Sequence, residues 1–139
     1  MTRWLYRSRL ISEGVPAPKT DAGNLHSILY GAVLSPPSRA RLFQWMLECK
    51  TAPTRLKAGL PPNWRIAHKT GAWIADRGHG PDERSASGDV GVLIPPVGAP
   101  VLVAAYTAGL ERPQADIDRW FADVARSITM GIDKSRGRA

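Results

Sequence analysis

Apolar residues follow two rhythms along this chain, and the rhythm changes at Trp64. Upstream they recur at helical spacing. Leu25, Ile28 and Leu29 share one face, with Asp21 able to cap the helix start and Gly31 ending it. Ser35 followed by Pro36 marks a second start, because proline fits the first turn, and Leu42, Phe43, Met46 and Leu47 continue at helical spacing with Trp45 beside the stripe. Pro53 and Gly59-Leu60-Pro61-Pro62 then interrupt, leaving room for one helical turn over residues 55–57.

After Trp64 the pattern predicts strands over 65–72, 90–94 and 101–106, the second and third separated by Pro95-Pro96-Val97-Gly98. The third run is the most apolar and fits a strand buried on both faces. Residues 75–88 read as a polar, glycine-containing connection. Pro113 opens a last helix, in which Ile117, Trp120, Phe121, Val124 and Ile128 fall at i, i+3, i+4, i+7 and i+11. That stripe should cover one face of the sheet. The expected class is α/β: a three-stranded antiparallel sheet packed by helices over 20–130, after an irregular segment 1–19 and before a frayed basic tail 131–139.

A length of 139 residues suits one domain, and 43% hydrophobic with 22% charged residues is ordinary for a globular protein. The net charge of +7 raises the question of nucleic acid. The charge is scattered, however, and concentrates only near the ends, in Arg3, Arg7 and Arg9 and in Lys134, Arg136 and Arg138. No aromatic-interleaved basic stripe accompanies it, so no nucleic-acid partner is expected. No apolar run is long enough to span a membrane, and the N-terminus lacks the apolar core of a signal peptide. The single cysteine, Cys49, allows no intramolecular disulfide and reads as a small buried apolar residue near a helix end. His26 and His79 have no ligand-spaced partners, so neither a metal nor another cofactor is expected.

Candidate chemistry lies at Lys69-Thr70-Gly71, at the end of the first predicted strand. The triplet alone is weak. It is flanked by the Trp45-Met46 helix, the loop Gly59–Trp64, and the runs Asp89–Ile94 and Pro100–Thr107. In that order, residues from about Thr20 to Thr129 resemble the C-terminal half of a class A serine β-lactamase.

The resemblance implies hydrolysis of a β-lactam amide through an acyl-serine. Lys69 would attract the substrate carboxylate and bias nearby protonation, and Thr70 would offer it a hydroxyl. Gly71 would let the ligand approach the strand edge, and the Ala72 N–H would be one of two oxyanion donors. Arg55 matches a second carboxylate clamp behind the strand, suited to it by its planar fork. Ser87 falls beside the same ligand. His68 stands where aspartate is more usual and reads as structural, as does Trp64. The family's periplasmic or secreted location follows by the same resemblance.

Three family motifs are absent. No serine is followed by lysine three residues on; Thr54 and Lys57 have that spacing but match a non-catalytic helix. Neither Ser-Asp-Asn nor Glu-x-x-Leu-Asn occurs. The expectation is therefore a truncated or split product, inactive alone and lacking an N-terminal half. A non-catalytic module binding β-lactam or peptidoglycan peptide, or part of a penicillin-binding transpeptidase, are the alternatives.

Overall fold

In a computed structural model, residues 18–73, 85–110 and 112–136 are described. Most of the N-terminal segment, residues 74–84 with His79, and the last three residues lie outside them. The elements run α1 (Pro18–Tyr30), α2 (Pro36–Leu47), a 3-10 turn η1 (Leu56–Gly59), β1 (Arg65–Trp73), β2 (Ala86–Ile94), β3 (Val101–Ala108) and α3 (Gln114–Arg136).

The strands form one antiparallel sheet in the order β1-β2-β3. Its register sets Ile66 opposite Leu93, Lys69 opposite Val90 and Ala72 opposite Ser87. Side chains alternate across the pleat, so Ile66, Leu93 and Val103 face one way and Ala67, Val92 and Leu102 the other. The first set packs with Leu56, Trp64 and Ala125 under η1 and α3. The second packs with Leu25, Leu29 and Met46 of α1 and α2. Fully burying side chains such as Leu56, Leu93 and Phe121 contributes roughly 1.5–3 kcal/mol each.

Several local expectations change. α1 begins at Pro18, so Asp21 lies in its first turn and is not the cap; proline's fixed φ starts a helix well. Ser35 does cap α2, its hydroxyl accepting from the Ser38 N–H at 3.4 Å. The strand buried on both faces is β2, covered by η1 and α3 on one side and by α1 and α2 on the other, whereas β3, at the sheet edge among the described residues, alternates half-buried and buried residues. β2 also begins four residues earlier than expected. α3 continues past Met130 to Arg136, because Ile132 still packs on the core below it. Cys49 lies just beyond α2, half-buried, with Sγ 3.2 Å from Thr51 Oγ1.

α3 sits close over η1. A Cβ placed on Gly59 would stand 1.9 Å from the Ala122 carbonyl oxygen. This contact brings the segment carrying Arg55 under α3 and against the back of the sheet.

Candidate active site

β1 has no partner strand on its outer side among the described residues, and Lys69, Gly71 and Ala72 are exposed along it. The Lys69 ammonium folds back to the carbonyl oxygen of Thr70 at 2.6 Å. Thr70 is half-buried, and its hydroxyl lies 2.7 Å from Thr51 Oγ1. A Cβ on Gly71 would meet no atom of the described residues within 4 Å. Packing among the described residues therefore does not require glycine there, in contrast to Gly91, whose Cβ would approach the Ala67 carbonyl oxygen to 2.3 Å.

Beneath this strand lies a buried polar cluster. Arg55, only 4% exposed, donates through Nε to Asp118 Oδ1 at 3.0 Å. Its Nη1 donates at 2.9 Å to both the Gly71 and Gly88 carbonyls, and Nη2 reaches Ser87 Oγ at 3.4 Å. These contacts use four of the five guanidinium N–H donors. The Phe121 ring centroid lies 5.2 Å from the guanidinium carbon, so the cation rests on an aromatic face. Asp118 also accepts from Thr54 Oγ1 at 2.6 Å and Gln114 Nε2 at 2.8 Å. Desolvation pushes the Asp118 carboxyl up, but hydrogen bonds from Thr54, Gln114 and Arg55, with the charge of Arg55, hold it below the usual range.

A second buried pair joins the same region. His68 Nδ1 lies 2.9 Å from Asp89 Oδ1, and the Leu56 N–H donates to Asp89 Oδ2 at 3.3 Å. His68 Nε2 is buried without a hydrogen-bond partner among the described residues.

Of the residues singled out in the sequence, Lys69, Thr70, Gly71 and Ala72 thus form one exposed strand end, with Arg55 and Ser87 in contact behind it. Sequence reasoning missed Asp118, Asp89 and Thr51. None belongs to a motif, and nothing local in the sequence signals Asp89, which shares a sheet face with His68.

A sequence profile of the beta-lactamase enzyme family matches residues 17–131. The chain belongs to that family. It is 39% identical over 103 residues to Beta-lactamase AER-1 of Aeromonas hydrophila, a stretch covering 69% of this chain and 31% of that protein. Against a beta-lactamase of Streptomyces albus G the identity is 32% over 112 residues, covering 81% of this chain and 33% of the relative. Among solved structures it resembles the reconstructed class A beta-lactamase of the last common ancestor of Gram-negative bacteria. The TM-score is 0.75 at 34% identity, covering 94% of this chain and 49% of that one. This beta-lactamase-family chain thus spans about a third of the curated relatives it matches, and it shares the fold of the solved ancestral structure over the half of that chain it covers.

Proposed function

We propose that this chain forms the carboxylate-binding and oxyanion side of a serine β-lactamase site, acting on a β-lactam antibiotic in the periplasm or outside the cell. Gly71 carries this reading. It lies on the exposed edge strand with open space where a Cβ would be, so its missing side chain serves something that approaches from outside.

The chemistry then divides by position. A serine supplied by chain outside these 139 residues attacks the lactam carbonyl, the amide C–N bond breaks, and water releases the acyl group. Ala72 N–H would stabilise the oxyanion, and removing one such donor typically costs about 10²–10³ in rate. Lys69 would leave the Thr70 carbonyl for the substrate carboxylate, which the Thr70 hydroxyl also approaches. Arg55 lies too deep for an open bidentate grip, with most of its donors engaged. Its part is to add positive charge and to hold Ser87, Gly71 and Gly88 in place. The non-catalytic alternative is a module that binds β-lactam or peptidoglycan peptide through the same strand end without turnover.

The test is complementation. The purified chain and the separately expressed first half of a class A β-lactamase are assayed alone and mixed for nitrocefin hydrolysis. Turnover confined to the mixture supports the reading. Binding of penicillin without turnover in the mixture supports the non-catalytic alternative.

A further inference from the structure

We infer that Asp89 is a positioning residue of this site, fixing the strand that carries Lys69–Ala72 against the segment that carries Arg55. The inference rests on the proposed function for its enzymatic meaning, but not for its geometry.

Asp89 is 0% exposed, in the middle of a three-stranded sheet. A carboxylate there costs several kcal/mol unless its oxygens are matched, and an apolar residue of similar size would avoid that cost. Each oxygen serves a different segment. Oδ1 takes His68 of β1, the residue immediately before Lys69. Oδ2 takes the Leu56 N–H of η1, the residue immediately after Arg55. The neighbouring Gly88 carbonyl takes Arg55 itself. Two adjacent residues of β2, Gly88 and Asp89, therefore hold both cation-bearing segments.

The pair also constrains His68. Oδ2 accepts from a backbone amide, so Oδ1 is left to accept from the ring, which places the imidazole proton on Nδ1. With a single ring proton on Nδ1, Nε2, buried and without a hydrogen-bond partner among the described residues, presents a lone pair. Burying a lone pair beside β1 is less costly than burying an unpaired N–H. Gly91 lets the ring sit this way, because a Cβ there would come within 2.7 Å of the His68 Cβ. Fixing the Lys69 strand end against the Arg55 segment matters because the contact and the charge they offer the substrate carboxylate weaken together when the two segments shift, which lowers binding more than turnover.

The experiment uses the full chain and long-range proton–nitrogen NMR with amide hydrogen exchange. The native His68 proton should sit on Nδ1; a proton on Nε2 overturns the inference. Asp89→Asn and His68→Ala should each speed Leu56 amide exchange about tenfold, the scale of one hydrogen bond, while Ala125 in α3 is unchanged. His68→Asn, which keeps a donor toward Asp89, should retain the protection. Leu56 protection unchanged in all three variants overturns the inference. Should Asp89→Asn fail to fold, the native proton position and the His68 variants still decide. In the complemented enzyme, Asp89→Asn should raise KM about tenfold with kcat within threefold, the loss of one carboxylate contact. A fall in kcat at unchanged KM overturns the positioning role. If no mixture ever turns over, the proposed function fails, while the exchange result still stands or falls alone.

Discussion

Arg55 and Asp118, 63 residues apart in sequence, form a 3.0 Å ion pair that pins the segment before β1 to the first turns of α3. Asp118 is the only carboxylate that Arg55 touches among the described residues, and the cation is almost wholly buried. Removing the acid leaves a buried charge without its counter-ion. Asp118→Ala should therefore destabilise the chain by about 3 kcal/mol, measured by urea unfolding. The pH dependence has a definite sign. A carboxyl held below its unfolded value contributes stability that is present above that value, near 3.8, and lost as pH falls through the folded one. Native stability should drop on acidification below that value, and Asp118→Ala should flatten part of the drop.

The same burial changes what Arg55→Ala would report. The substitution removes four hydrogen bonds and an aromatic contact as well as a charge. A higher KM in the complemented enzyme should come with a lower melting temperature, which differential scanning fluorimetry would measure.

Two glycines should respond in opposite ways. Gly59→Ala drives a Cβ into the Ala122 backbone, which cannot rotate away, so a loss of at least 1–3 kcal/mol, the usual cost of overpacking, is expected (about that scale). Gly71→Ala meets open space, and its stability change should stay within about 0.5 kcal/mol. Thermal melts of both variants check the contrast. A destabilised Gly71→Ala would place the need for that glycine in the fold instead of the ligand.

Tyr106 offers a titration readout at the other edge of the sheet. Burial, then a hydrogen bond and charge from Asp21, push its phenol up to about 12. A phenol that holds its proton more tightly when folded contributes stability below pH 10, lost as pH rises toward about 12. Absorbance titration should find one tyrosine ionising near 12, and Asp21→Ala should lower it.

Helix positions and strand identities were legible in the sequence, because apolar spacing encodes them locally. Strand order was not. Val101–Tyr106 is the most apolar run, yet it lies at an edge, and the doubly buried place goes to β2, whose first half holds Ser87, Gly88 and Asp89. Those residues look like a loop until Arg55, Leu56 and His68 satisfy them from behind. The exposed half of the candidate site was readable as a triplet. The buried half was not, since Asp89 and Asp118 gain meaning from partners 21 to 64 residues away.

The most direct test of the central claim is nitrocefin hydrolysis by the native chain and by Lys69→Ala, each mixed with the first half of a class A β-lactamase. Lys69 is exposed and makes its hydrogen bond to the neighbouring carbonyl, so its removal should leave the fold intact. The account predicts turnover in the native mixture and a loss of about 10²-fold or more in kcat/KM with Lys69→Ala, about 3 kcal/mol of transition-state stabilisation. Turnover that survives Lys69→Ala unchanged would contradict the assignment of this strand end as the substrate-binding edge.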